Sequence, residues 1–384
     1  MTGWKEYRLN DLGEILDSRR IPLSSLERAK RQGQYPYYGA SGIVDYIDDY
    51  IFDGEHVLIS EDGENLLSRN TPIAFIVSDK FWVNNHAHIF KGNAPFINRI
   101  VMHYLQSSDL NEFITGAAQP KLSQRALLSI PFYLPAESME QKAIATVLSS
   151  LDDKIDLLHR QNATLEAMAE ALFSQLFIAA EQKKELDAIV KWISFNPKRS
   201  IANGHIAPYL EMSNVNTTTF HPSDITYKEF SSGMKFVNYD TLLARITPCL
   251  ENGKTCYVTF LENEQVGWGS TEYIVMRPNT LLHPFFAYCL AKTDDFRAYA
   301  ENCLTGSSGR QRVDSAHLKR YEIVSPPPQS IEGFNRFAAS IVPKLHDNFI
   351  QACTLEKLRD TILPKLMSGE VRVQYTGKFV EATI

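Results

Sequence analysis

The chain has no apolar run approaching the roughly 18 residues that a membrane-spanning helix needs. Its start, Met1-Thr2-Gly3-Trp4-Lys5-Glu6, lacks the pattern of a signal peptide. Cysteine is scarce and lopsided: Cys249, Cys256, Cys289, Cys303 and Cys353 all lie in the second half, and no two make a C-x-x-C pair. An odd number without metal-ligand spacing reads as reduced thiols and points to a cytoplasmic protein. Catalytic signatures are missing too. Asn196-Pro197-Lys198-Arg199 begins like the N-P-P-[YF] loop of adenine methylases but fails at its third position, where a basic residue cannot stack a flipped base. Asn252-Gly253-Lys254-Thr255 looks like the end of a P-loop, but Pro248 stands where the first glycine is needed. His86 and His88 alternate on an expected strand without further ligands, so we expect strand histidines and no metal site. No nucleophile–base pair can be assigned, and no enzyme activity is expected.

The net charge of −6 gives no general attraction to nucleic acid. The mean hides local blocks. Residues 43–64 carry eight acids and no Lys or Arg (Asp45, Asp48, Asp49, Asp53, Glu55, Glu61, Asp62, Glu64), which we read as a solvated face or one meeting a basic partner. Basic residues gather at Arg19, Arg20, Arg28, Lys30 and Arg31, at Lys198 and Arg199, and at Arg310, Arg312, Lys319 and Arg320.

What is present is a duplication. Thr115-Gly116 through Phe177 returns loosely as Thr305-Gly306 through Met367 at a constant offset of 190, with Thr164-Leu165-Glu166 on Thr354-Leu355-Glu356. Two long copies are too few for a solenoid. They imply two similar halves, and a target that itself has two halves. From Ile144 a heptad pattern places Ile144, Leu151, Leu158, Leu165 and Leu172 at one seam position and Leu148, Ile155, Asn162, Ala169 and Leu176 at the other. This predicts a helix of about 40 residues, near 60 Å long, with Ser138 and Gln141 as a capping box and Asn162 fixing register. The second copy reads Phe334, Ile341, Asn348, Leu355, Ile362 and Ala338, Leu345, Ala352, Arg359, Leu366. Pro343 should kink or break it, and Gly369 should stop it. The two stripes can cover each other as an antiparallel coiled coil; a homodimeric coiled coil stays open, because an a/d pattern does not name its partner.

The blocks 1–135 and 182–325 are alike in kind. Each is rich in Gly, Pro and aromatics, with β-like runs (His56–Ile59, Ile73–Val77, Thr255–Thr259, Tyr273–Met276) and a short helix (Ile97–Gln106, Pro284–Ala291). The expected class is mixed α/β (α+β): two globules with twisted mixed sheets, separated by two long helices as a pseudo-two-fold internal repeat. The division is 1–135 globule, 136–181 helix, 182–325 globule, 326–370 helix, and a tail, 371–384, packing near the first globule.

Along the chain stand Tyr35-Pro36-Tyr37-Tyr38-Gly39-Ala40-Ser41-Gly42, Asn84-Asn85-His86-Ala87-His88-Ile89, Gly116-Ala117-Ala118-Gln119-Pro120-Lys121-Leu122-Ser123, Leu243-Ala244-Arg245-Ile246-Thr247-Pro248-Cys249, Glu251-Asn252-Gly253-Lys254, Gly306-Ser307-Ser308-Gly309-Arg310-Gln311-Arg312-Val313 and Pro364-Lys365-Leu366-Met367-Ser368-Gly369. In this order the motifs resemble those of specificity subunits of type I restriction-modification systems. The resemblance implies two target-recognition domains on double-stranded DNA and two conserved helical regions. It also implies a bipartite site, two methyltransferase subunits that hold S-adenosylmethionine (this chain binding no cofactor itself), and restriction motor subunits for cleavage.

Base edges are read by Arg, Lys, Asn and Gln, and phosphates position the protein. Candidate DNA-contacting residues are Arg19, Arg20, Tyr35, Tyr37, Tyr38, Ser41, Lys80, Asn84, Asn85, Gln119 and Lys121 in the first globule. In the second they are Lys198, Arg199, Arg245, Asn252, Lys254, Ser270, Thr271, Arg310, Gln311 and Arg312. Tyr37, Tyr38 and Trp82 fit a core role better than a base-reading one, and Asn84, Asn85 and Asn252 equally fit turns. The function expected is recognition of two unlike half-sites in the major groove, with the helices as ruler and docking surface. Two other classes stay open: a helical-dimer scaffold without DNA, and a stand-alone enzyme.

Overall fold

The β-branched and aromatic runs of the sequence become the inner strands of two sheet systems. The computed structural model describes residues 3–116, 119–178, 186–262, 264–307, 309–325 and 327–373. They fall into two compact units, Met1–Ile155 with Thr354–Ile384, and Asp156–Cys353. Each unit thus takes in part of both long helices, Ser138–Phe173 and Pro328–Ser368. The sequence blocks had set the helices apart from the globules.

In the first unit the run His56–Ser60 is buried along its whole length. It can be, because it is the third strand of a four-stranded antiparallel sheet ordered Gly13–Ile15, Ala87–Gly92, His56–Ser60, Ala74–Val77. A second sheet runs Gly42–Ile47, Gln32–Gly39, Lys80–Val83, Phe52–Asp53, with its middle pair parallel. A ribbon of Trp4–Tyr7 with Phe132–Pro135 leads into the first long helix. Helix Pro95–Ser107 lays Ile97, Ile100, Val101 and Leu105 into a core shared with Ile144, Leu148, Leu363 and Leu366. There the two helices run antiparallel, and Asp152 meets Arg359 at 3.1 Å.

The second unit repeats this plan strand for strand. Its inner sheet runs Ile193–Phe195, Tyr273–Pro278, Thr241–Ala244, Thr255–Tyr257. Its second sheet runs Thr226–Glu229, Ile206–Leu210, Gly267–Gly269, Met234–Phe236, again with a parallel middle pair. The ribbon is Leu186–Ala188 with Glu322–Val324. Helix Phe285–Lys292 is buried from Phe285 to Ala291 and packs on Phe173, Phe177 and Phe334. In this unit too the helices are antiparallel. Asn348 Nδ2 donates to Asn162 Oδ1 at 2.9 Å, and Asn162 Nδ2 donates to the Leu345 carbonyl at 3.0 Å.

Several expectations for the helices change. Ile144, Leu148, Ile155, Leu158 and Asn162 are buried as the heptads require, as are Ile341, Leu345, Asn348 and Leu366. Leu151, Leu165, Leu172, Leu176, Leu355 and Ile362 are only half-buried. From Ile155 the buried positions step through Leu158, Asn162, Glu166, Ala169, Phe173 and Phe177. That rhythm of 3, 4 and 4 follows a helix of about 3.6 residues per turn and drifts off a strict seven-residue repeat. Leu176 and Phe177 fall in a π-helical turn, Ser174–Ile178. No Ser138–Gln141 capping box forms; the buried Gln141 amide donates to the Pro135 carbonyl at 2.7 Å. Pro343 does not interrupt its helix, because it lies on the exposed face, where water can reach the carbonyl it frees. Gly369 does end that helix, in the left-handed region at φ 74°, with the Trp4 ring filling the space a Cβ would need. Of the tail, Arg372 pairs with Glu140 at 2.7 Å within the first unit; residues 374–384 lie outside the described residues.

Candidate nucleic-acid interface

The inner sheet of each unit gathers three loops at one end. In the first unit strand His56–Ser60 runs out into Glu61-Asp62, and strand Ala87–Gly92 begins after Asn84-Asn85-His86. Thr115, Lys121 and Leu122 are laced between them. Lys121 N donates to the Thr115 carbonyl (2.7 Å), Thr115 N to Lys121 (2.9 Å), Leu122 N to Glu61 (2.8 Å) and Glu61 N to His86 (2.9 Å). Gly116 turns this loop at φ 89°, where an added Cβ would sit 2.4 Å from the Gln119 carbonyl, so only glycine fits. Ser60 Oγ donates to the Ala40 carbonyl at 2.6 Å and ties the Ala40-Ser41 hairpin turn to the same end.

The second unit builds the same lattice from other residues. Thr305 and Arg312 exchange backbone hydrogen bonds (3.0 and 2.8 Å), Val313 N donates to Arg245 (2.9 Å), Arg245 N to Glu272 (2.9 Å) and Thr247 N to Gln311 (3.0 Å). The matched bonds pair Glu61 with Arg245, His86 with Glu272 and Lys121 with Arg312. Asn84 and Ser270 also match: Asn84 Oδ1 accepts from His86 N (2.7 Å), and Ser270 Oγ accepts from Glu272 N (3.1 Å). The acid has changed places. In the first unit it sits at the strand end, as Glu61; in the second it sits at the start of the neighbouring strand, as Glu272.

That exchange sets the electrostatics. Glu61 accepts from Arg20 Nη1 at 2.6 Å and lies 3.1 Å from Lys121 Nζ. Burial would raise its carboxyl, but the Arg20 hydrogen bond, with the charges of His88 and Lys121, holds it below the usual range. Arg20 is spent internally, also donating to the Asp17 and Ala87 carbonyls. Asp17, Glu61 and His88 come close enough to suggest a cation site. The Arg20 guanidinium already supplies that cation, while His88 bridges Asp17 (2.6 Å) and the Leu122 carbonyl (2.8 Å). The acidic run is therefore not one solvated face: Asp45 pairs with Arg28, Asp48 with Arg31, Glu61 with Arg20 and Asp62 with His86. In the second unit Arg312 lies on Glu272 at 2.8 Å, and Arg245 is 3.9 Å from the same carboxylate.

The fold brings Ser41, Asn84, Asn85, Gln119 and Lys121 to this end of the first unit, and Arg245, Ser270, Thr271, Arg310, Gln311 and Arg312 to that of the second. Ser41, Asn85, Gln119, Lys121, Thr271 and Arg310 are exposed. Other candidates have structural employment. Tyr37, 1% exposed, takes a hydrogen bond from Leu23 N, and Tyr38 packs on Phe75 and Phe81. Trp82 is buried and donates to the Ile21 carbonyl. Arg199 faces the buried Asp240, and Lys254 Nζ donates to the Met212 carbonyl. Arg19 lies over Phe52, while Lys80 and Tyr35 both meet Tyr50. Asn252 and Lys198 are exposed, Asn252 in a turn closed on Pro248. Asn196, in the left-handed region at φ 53°, uses its side chain to accept from Val275 N. Glu61, Glu272 and His86 were absent from the candidates. The pairs Glu61–Arg245 and His86–Glu272 stand 184 and 186 residues apart, so the offset of 190 does not find them.

Among the described residues no helix is long and apolar enough to cross a membrane. Residues 1–167 match the family model described as type I restriction modification DNA specificity domain. A Haemophilus influenzae chain named for a type I restriction enzyme specificity subunit is 38% identical over 148 residues, 38% of this chain and only 37% of that one. The MjaIX type I specificity subunit of Methanocaldococcus jannaschii is 22% identical, over 97% of this chain and 94% of its own length. The fold is similar to the crystal structure of a type I restriction-modification S subunit from M. genitalium, with a TM-score of 0.59, 15% identity and 97% of both chains covered. With its twice-built sheet system and the helices paired within each unit, the chain is similar to the specificity subunits of type I restriction-modification systems, and residues 1–167 match their DNA specificity domain.

Proposed function

We propose that each unit reads one half of a bipartite, asymmetric DNA site through its loop cluster, placed in a major groove. One observation carries this reading: the same backbone lattice is built twice and holds unlike side chains, Glu61, His86 and Lys121 in one unit against Arg245, Glu272 and Arg312 in the other. A repeated frame with exchanged charges suits two similar tasks on two different sequences. The major groove, about 12 Å wide, admits such loops and offers a distinct donor and acceptor pattern for each base pair. The long helices set the unread spacer, as fixed geometry sets half-site spacing in dimeric DNA-binding proteins. Their outer faces dock two methyltransferase subunits, which hold S-adenosylmethionine, and restriction subunits join for cleavage. This chain contributes recognition and no catalysis. Partner subunits then supply much of the phosphate neutralisation, so a net charge of −6 is tolerable. The test is to map the methylated motif across the host genome with the gene present and deleted. Loss of methylation at one split, non-palindromic motif is expected; an unchanged pattern refutes the reading.

A further inference from the structure

The Arg312 guanidinium is held through all three of its nitrogens. Its backbone is pinned by the exchange with Thr305. Nε donates to Oε1 and Oε2 of Glu272, both at 2.9 Å, and Nη2 lies 2.8 Å from Oε1. Nη1 donates to the Arg310 carbonyl at 3.3 Å. A guanidinium carries five N–H groups in one plane. One from Nε and one from Nη2 are spent on the carboxylate, and one from Nη1 on the carbonyl. The two left over are one on each Nη. The side chain is 43% exposed.

Two donors left on a braced plane match the O6 and N7 acceptors of guanine. We propose that Arg312 reads a guanine in the half-site of the second unit, with Glu272 as its positioning residue; this rests on the DNA-reading role given to the loop cluster above. Glu272 does not present a bare negative charge to DNA, because Arg245 lies 3.9 Å from its other oxygen. The matching residue of the first unit differs in kind. Lys121 carries a rotatable ammonium with no fork, so the two units do not read this position alike.

The test uses the full-length chain expressed with the methyltransferase subunits of its own system. Methylated motifs are mapped, and duplexes altered at one base pair at a time compete for binding. Arg312→Lys should lower discrimination at one G·C pair of one half-site by roughly 5- to 150-fold, the range a bidentate contact carries. Glu272→Gln should relax the same position more mildly, and Glu272→Asp should restore part of it. Discrimination at the other half-site serves as the folding control. Equal weakening on all sequences would mark Arg312 as a phosphate contact and overturn the proposal, as would an unchanged motif. Methylation that persists when the whole gene is deleted would instead overturn the recognition role itself.

Discussion

Replacing Glu166 with glutamine should stabilise the second unit at pH 8 and leave it nearly unchanged at pH 5. Glu166 stands in the helix seam, 5% exposed. Its Oε2 accepts from the Tyr288 hydroxyl at 2.7 Å, and its Oε1 has no partner. Burial pushes this carboxyl up to about 7, against the opposing pull of the Tyr288 hydrogen bond, Lys292 and the Phe220 backbone. Glu170, itself raised by burial, adds to the upward push. The folded unit therefore keeps a proton between 4.5 and about 7 that the unfolded chain gives up. Stability from this group is fully present below pH 4.5 and is lost as pH rises through 7. At about 1.4 kcal/mol per pH unit, the gap between those values is worth about 3 kcal/mol. Glutamine keeps an acceptor for Tyr288 and has no proton to lose. Hydrogen exchange of the amides in Phe285–Lys292, corrected for intrinsic rates, measures the local opening free energy from pH 5 to pH 8. Part of that loss precedes pH 5, so the wild-type value should fall by roughly 2–3 kcal/mol across this range while that of Glu166→Gln stays nearly level. Parallel curves for the two proteins would refute the argument.

Two further outcomes follow from the helices. Asn162→Leu leaves the Asn348 amide without its 2.9 Å acceptor and should cost roughly 1–3 kcal/mol in urea unfolding. The double change with Asn348→Leu should recover most of that loss, so additive single costs would show that the pair does not act as a pair. Matched seven-residue insertions in both long helices lengthen them by about 10 Å, near three base pairs of DNA. The mapped motif should gain about three unread positions between unchanged half-sequences; altered half-sequences at the old spacing would dismiss the ruler.

Much of the architecture was legible because it rests on local periodicity. The runs His56–Ile59 and Tyr273–Met276 are strands, and both long helices form where their apolar stripes lie. The seam was legible in the first helix from Ile144 to Asn162, save Leu151, and again at Ala169, and in the second at Phe334, Ala338, Ile341, Leu345, Asn348, Ala352 and Leu366. Past Asn162 in the first helix a seven-residue template drifts from a helix of about 3.6 residues per turn, and Glu166, Phe173 and Phe177 replace Leu165, Leu172 and Leu176 in the interior. The correspondence between the two sheet systems was hidden because loop insertions move the matching strands off the helical offset.

Sequence alone determined the duplication, the two long helices and most of their buried face, since each depends on residues a few positions apart. Tertiary structure decided which cations remain available. Arg20 and Arg312 look alike in sequence, yet each is governed by a carboxylate about 40 residues distant, Glu61 and Glu272. The first side chain, 15% exposed, is consumed within its unit, and the second is braced yet 43% exposed. Strand pairing and loop closure set that difference, and neither can be read from the spacing of charges along a chain.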